Sequence, residues 1–249
     1  MKKELSVPII YLAEIDSTSN YLKAQCKETH LDEFTTVVTD FQDSGHGQAN
    51  NSWESERGKN LLFSFVFYPE FCPARQQFYL SQLIALAIKD TLDCFCSGFS
   101  VKWPNDIYWE DQKICGILIE NELCGETIQQ CIAGIGININ QCVFRSDAPN
   151  PVALIQIINE EKDRREILHQ IMDKVLDYYR LLKEGGTSII VHRYIHSLYR
   201  KNSFHRYKDA EGIFSARIAD ILPQGALVLE DKAGKRRTYH FKEVSFLPD

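Results

Sequence analysis

The sequence predicts an α+β fold: a mixed or antiparallel sheet with helices packed on it, followed by a small SH3-like β-barrel. Three observations carry this prediction. Apolar residues recur at helical spacing over residues 74–92 and again within 152–200. The runs at 100–108, 113–122 and 127–138 are joined by turns too short for βαβ crossovers, so antiparallel hairpins are expected. After Ser203 the pattern changes to short alternating strands separated by glycine-bearing turns. The expected organisation is a large domain over 1–203 and a small β-barrel domain over 204–249.

Each element has its own local reason. Residues 8–13 read as a strand, and Asp16-Ser17-Thr18 supplies an N-cap for a helix running to about Lys27. β-Branched and aromatic residues make 34–41 a strand, and a polar, glycine-bearing loop follows over 42–58. Residues 60–68 read as a buried strand from their length and Phe content. In 74–92, Phe78, Leu83, Ala87 and Leu92 recur at helical spacing, with Leu80, Ile84 and Ile88 beside them. The hairpins that follow turn at Asp111-Gln112 and Cys124-Gly125. Within 152–200, Ile167, Ile171, Val175 and Tyr178 share one helix face. The helices are expected on one face of the sheet. Strands at 214–219, 226–230, 237–241 and 243–247, with turns at Gln224-Gly225 and Ala233-Gly234, make the barrel.

Composition bounds the function classes. Of 249 residues, 44% are hydrophobic and 25% charged, the balance of an ordinary globular protein. A chain this long buries about 70–75% of its unfolded surface and needs no disulfide or metal staple. A net charge of −6 argues against a dedicated nucleic-acid binder, which shows a basic face. The start, Met1-Lys2-Lys3-Glu4-Leu5-Ser6-Val7-Pro8, lacks the apolar core of a secretory signal, and no stretch approaches the ~20 apolar residues of a membrane span. Eight cysteines at 26, 72, 94, 96, 115, 124, 131 and 142 include no CxxC pair, so reduced, inert thiols in a cytoplasmic protein are expected.

Three stretches are chemically distinctive. Gln42-Asp43-Ser44-Gly45-His46-Gly47-Gln48-Ala49-Asn50-Asn51-Ser52-Trp53 is a polar loop whose glycines let the backbone approach a ligand and whose N–H groups can cradle an anion. A long surface connection has the same composition. Val101-Lys102-Trp103-Pro104-Asn105-Asp106 ends a strand with a cation, a fixed turn and two oxygen ligands suited to Mg²⁺, or is simply a good turn. Lys113-Ile114-Cys115-Gly116-Ile117-Leu118 puts a lysine at the mouth of an apolar strand, free to neutralise a carboxylate or phosphate, or merely solvated. Gly134-Ile135-Gly136 lacks the third glycine of a dinucleotide fingerprint and opens no helix, so that reading fails.

Taken in order, these anchors resemble the catalytic domain of biotin protein ligases. They are Asp16-Ser17-Thr18, the 42–53 loop, Lys102-Trp103-Pro104-Asn105-Asp106, Lys113-x-x-Gly116-Ile117-Leu118 and Gly134-Ile135-Gly136-Ile137-Asn138. The resemblance covers 15–141 by motif and the remainder more loosely. It implies a biotin/lipoate ligase-like fold and a reaction in which biotin and ATP, with Mg²⁺, form biotinyl-5′-AMP. Biotin then passes to a lysine of a biotin carboxyl carrier protein. It implies that Ser17, Thr18, Gln42, Gly45, His46, Lys113 and Gly116 hold biotin. It likewise implies that His46, Gln48, Trp53, Asn105 and Asn138 hold ATP or the adenylate. Asn105 and Asp106 would be at the metal, with Lys113 and Asp106 catalytic.

The sequence also departs from the family. The usual loop reads Gly-Arg-Gly-Arg-x-Gly-Arg, whereas Gly45-His46-Gly47-Gln48-Ala49-Asn50-Asn51 lacks at least two of its arginines. An adenylate held less tightly is the expected consequence, since a hydrogen bond to a charged group contributes roughly 1.5–3 kcal/mol. Ser19 precedes Asn20 where the family commonly has Asn directly after Ser-Thr. Catalytic motifs that begin at Asp16 leave no room for the N-terminal helix-turn-helix of repressor-type relatives, so no DNA binding is expected. Alternative readings are a biotin or biotinyl-AMP sensor without efficient transfer, and a lipoate or octanoate ligase relative. A monomer and a homodimer are equally compatible with the sequence. His192 and His196, four apart without a Glu partner, read as surface residues. Trp53 and Trp103 read as pocket wall or core.

Overall fold

The computed structural model describes residues 7–45, 47, 53–146 and 149–248. The larger sheet contains β1 (Ile9–Leu12), β2 (Thr36–Thr39), β3 (Leu61–Phe67), β4 (Phe99–Lys102), β5 (Asp106–Trp109), β6 (Gln112–Cys124) and β7 (Thr127–Ile137). Its spatial order is β1-β2-β3-β7-β6-β5-β4. Only the β1–β2 pair is parallel; the other pairs are antiparallel, so the sheet is mixed.

Helices cover both faces of this sheet, not the single face expected. β3 shows why. Leu61, Phe63, Phe65 and Phe67 point into the core shared with helices α2 (Phe78–Leu92), α4 (Arg164–Lys183) and α5 (Thr187–His196). The alternate residues point the other way: Ser64 meets Ser19, and Val66 packs with Leu22, on helix α1 (Thr18–Glu28). All seven β3 residues are buried, so its apolar run conceals the alternation that marks a two-faced strand. The short α3 (Leu154–Ile158) and α4 divide the helical segment expected over 152–200, and Ile167, Ile171, Val175 and Tyr178 are all buried as the periodicity requires.

Two strand boundaries differ from expectation. The run at 100–108 is two strands, because Trp103-Pro104-Asn105 turns the chain and Lys102 pairs with Asp106 across the hairpin. Pro104, joined to Trp103 by a cis peptide bond, has no N–H for a ladder and belongs in such a turn. The strand expected over 34–41 contracts to Thr36–Thr39, with Phe34 at φ +65° ahead of it.

The C-terminal region forms a separate antiparallel sheet of β8 (His205–Asp209), β9 (Gly212–Ile221), β10 (Leu227–Asp231), β11 (Arg236–Tyr239) and β12 (Ser245–Phe246), ordered β11-β10-β9-β8-β12. β8 has no counterpart among the expected strands. His-Arg-Tyr-Lys-Asp is polar throughout, and only Tyr207 is buried. The glycine turns occur as read, with Gly225 at φ +94° and Gly234 at φ +80°. Among the described residues no helix is long and apolar enough to cross a membrane.

Candidate active site

A cavity of about 710 Å³ opens on the α1 face of the large sheet. The start of α1 forms one end. Ser17 caps the helix, its hydroxyl accepting from the Asn20 N–H. Gln42 is brought alongside because the loop after β2 runs parallel to residues 15–16, with Asp43 N–H donating to Ile15 O and Ser44 N–H to Asp16 O. Gln42 Oε1 accepts from both the Thr18 N–H (2.8 Å) and the Thr18 hydroxyl (3.0 Å). Ser64 Oγ, from β3, contacts Thr18 Oγ1 at 2.7 Å and Ser19 Oγ at 2.9 Å. Four polar side chains thus converge at one end of a largely apolar sheet.

The floor is built from glycine. Gly116 and Gly136 face each other across β6 and β7. A Cβ at Gly136 would fall 2.5 Å from the Trp53 ring, and one at Gly116 would fall 2.8 Å from it. Their absence lets the indole lie flat on the strands. Gly134, two residues back on the same face, leaves room for the Ser19 hydroxyl, 2.5 Å from where its Cβ would stand. Gly45, whose carbonyl accepts from the Trp53 N–H at 3.0 Å, ties the loop back on itself.

Charge collects at the other end. Lys113 Nζ donates to Asp106 Oδ2 at 2.7 Å, and the two side chains are 27% and 29% exposed. Lys102 Nζ donates to the Tyr108 hydroxyl at 2.9 Å and lies over the rings of Tyr108 and Phe246. Burial draws the Lys102 ammonium below the usual lysine range; Asp106 opposes this, and Lys113 and Arg200 reinforce it. Burial drives the Tyr108 phenol well above its ordinary value, so it remains a donor at any ordinary pH. Two cations and one carboxylate at this mouth can receive a ligand that carries more than one negative charge.

Of the buried polar atoms with no partner among the described residues, two belong to residues that line the cavity: Trp53 Nε1, a donor, and Asn138 Oδ1, an acceptor. Asn138 is 3% exposed, and its Nδ2 donates to Val152 O, which leaves Oδ1 to accept. A flat heterocycle with an exocyclic amine complements that acceptor.

Most sequence-derived site residues meet in this cavity: Ser17, Thr18, Gln42, Trp53, Asp106, Lys113, Gly116 and Asn138 line it. Asn105 does not. It is 4% exposed, its Nδ2 donates to Ser81 Oγ on α2 at 3.1 Å, and it borders a smaller adjoining recess. It points inward towards α2, while Asp106, next in the chain, begins β5. Asn105 therefore stands beside the cavity, next to Asp106, and not among the residues that line it. His46 and Gln48 lie outside the described residues. Among the described residues no group of three or more His, Cys, Asp or Glu could hold a metal ion. Mg²⁺ needs only one or two carboxylates when phosphates and water complete its shell, and Asp106 fits that requirement.

Sequence reasoning missed Ser19, Ser64, Tyr108, Phe144 and Phe241, all of which line the cavity. Ser64 carried a signal: it is the single hydroxyl inside Leu-Leu-Phe-Ser-Phe-Val-Phe. Phe241 carried none, since it arrives from the turn between β11 and β12 of the C-terminal sheet. His192 and His196 are exposed on α5, their rings tilted by 33° with centroids 4.0 Å apart, and the cysteines are free thiols, with Cys72, Cys115 and Cys131 buried.

Comparison with known proteins agrees with this geometry. The bifunctional ligase/repressor BirA of Bacillus spizizenii is 26% identical over 247 residues, spanning 96% of this chain and 74% of its own length. The biotin–[acetyl-CoA-carboxylase] ligase of Paracoccus denitrificans is 31% identical over 131 residues, 51% of this chain and 53% of its own. The fold matches that of the biotin protein ligase from Aquifex aeolicus in complex with biotin and ATP, with a TM-score of 0.79 and 24% identity over 97% of this chain and 99% of that one. The profile of one family matches residues 11–138, the stretch that supplies the α1 cap, the glycine floor, the Lys113–Asp106 pair and Asn138. On that match the chain belongs to the biotin/lipoate A/B protein ligase family.

Proposed function

We propose that this chain is a biotin protein ligase: it joins biotin to ATP as biotinyl-5′-AMP and passes the biotinyl group to a lysine of a biotin carboxyl carrier protein. The observation that carries this reading is the order of chemistry along one cavity. A hydroxyl and amide end (Thr18, Ser64, Gln42) is separated by a glycine floor from the Lys113–Asp106 pair and the unpartnered Asn138 Oδ1.

The hydroxyl end suits the ureido ring of biotin, whose carbonyl accepts and whose two N–H groups donate. Its valeryl chain would run from there towards Lys113. There the biotin carboxylate attacks the α-phosphorus of ATP, a bond to phosphorus forms and pyrophosphate leaves. Lys113 offsets repulsion between the two anions and stabilises the charge gathered on the phosphoryl oxygens, as Lys102 does from beside Tyr108. Mg²⁺, when bound through Asp106 and substrate phosphates, supplies further positive charge at that point. In the second step the carrier lysine amine attacks the acyl carbon and AMP departs. Asp106 is the carboxylate available to orient that amine and accept its proton. Trp53 and Asn138 would bracket the adenine.

The test is mass spectrometry of a biotin carrier domain incubated with this protein, biotin, ATP and Mg²⁺. The expected result is a gain of one biotin on a single lysine, absent with Lys113→Ala. An unmodified carrier, with biotinyl-AMP still on the protein, would instead make the chain a sensor.

A further inference from the structure

We propose that Glu54 is a positioning residue that clamps the outer wall of the cavity, residues 141–146, against the Trp53 segment, so that retention of the adenylate depends on it. The proposal rests on the ligase reading. Glu54 follows directly after Trp53, whose indole covers the glycine floor. One carboxylate oxygen accepts from the Arg145 N–H and the other from the Ser146 N–H, both at 2.8 Å. Gln141 extends the join. Its Oε1 accepts from the Glu56 N–H (2.8 Å) and from Asn60 Nδ2 (2.6 Å), and its Nε2 donates to Val143 O (2.8 Å) and reaches Glu54 at 3.5 Å.

At its outer end, residues 145–146, the wall is held by Glu54, while Gln141 and a bond from Gln156 Nε2 to Cys142 O (3.2 Å) hold its start. Residues 141–146 belong to no helix or strand, and Val143 is 61% exposed, so the segment has little apolar burial to anchor it. It nevertheless brings Phe144 and Ser146 to the cavity. A carboxylate is also the wrong group to greet a triphosphate. Its oxygens here are turned onto backbone N–H groups, which identifies the wall and not the ligand as its partner. Burial raises the Glu54 carboxyl, but the Ser146 hydroxyl, the two N–H groups and the Arg145 charge outweigh it and hold the group below the usual carboxylate range. The bonds are therefore charge-assisted at neutral pH, about twice as strong as neutral ones.

The experiment loads the wild-type and Glu54→Gln proteins with biotin and labelled ATP, then follows escape of biotinyl-AMP after dilution. A Gln can accept at only one of the two oxygens. Escape should accelerate on the order of tenfold, with KM for ATP raised and biotin affinity unchanged, because Thr18, Ser64 and Gln42 are held independently. Ser146→Pro removes one N–H from the other side, and its effect should not add to that of Glu54→Gln. Unchanged escape in both variants, additive effects, or an equal loss of biotin affinity would each overturn the clamp. If the wild-type chain makes no adenylate, the ligase reading falls; equilibrium binding of ATP alone to the same proteins then still decides on Glu54.

Discussion

Gly136 shows how much of this site depends on a missing side chain. Its neighbour across the ladder is Gly116, and both are covered by the same indole. Adding one methyl at 136 leaves the Trp53 ring nowhere to lie, because β6 and β7 are central strands and cannot retreat. Gly136→Ala is therefore expected to cost about 1–3 kcal/mol in stability, to shift Trp53 fluorescence and to weaken ATP binding. A titration with wild-type affinity would show that the indole is not part of the nucleotide wall. Ser19 is a second case. As a sequence departure it had no interpretation, whereas in the fold its hydroxyl joins Ser64 above Gly134.

At the scale of elements, β3 divides stability from recognition along a single strand. Phe65 faces the helical core and Ser64 faces α1. Phe65→Ala is expected to remove about 3–5 kcal/mol of stability through the cavity it leaves, with biotin KM little changed in the protein that remains folded. Ser64→Ala should do the reverse. Stability falls by about 1–3 kcal/mol, the cost of unpaired buried hydroxyls, while biotin KM rises. Thermal melts and steady-state kinetics on the two variants distinguish them, and equal KM changes would contradict the two-faced reading. α1 is similarly divided: Ser17, Thr18 and Ser19 serve the cavity within its first turn, and Leu22, on the following turn, anchors the helix to Val37, Val66 and Ile132.

For the whole molecule, the question is what joins the C-terminal sheet to the cavity. Trp103 does this. Its Nε1–H donates to Gly225 O at 2.8 Å, and its ring meets Phe241 edge-on. Gly225 has no room for a side chain, since a Cβ there would fall 2.6 Å from Phe78. Arg200 adds a bond to Leu247 O. Phe241, 47% exposed, thereby reaches the rim of the cavity from a sheet that begins more than 100 residues after Trp103. Trp103→Phe keeps the packing but loses the hydrogen bond. It should cost about 1 kcal/mol and raise the carrier and ATP KM values more than the biotin KM. A uniform change in all three would mean that the sheet contributes only stability.

Some of this could be read without coordinates, because it is local. The α1 cap at Ser17, the helical face of Ile167, Ile171, Val175 and Tyr178, and the hairpin turns follow from short-range spacing. Lys-Trp-Pro-Asn-Asp followed by Lys-x-x-Gly-Ile-Leu identified the family because these motifs are contiguous in the chain. Tertiary structure decided the rest. The two-sided covering of the sheet was hidden because a strand buried on both faces loses its alternation. The inward turn of Asn105 depends on α2 supplying Ser81, and β8 depends on β9 and β12 to pair a polar strand. The Glu54 and Trp103 joins link segments about 90 and 120 residues apart. Spacing along the chain encodes which face a side chain takes, but not which distant backbone will be there to meet it.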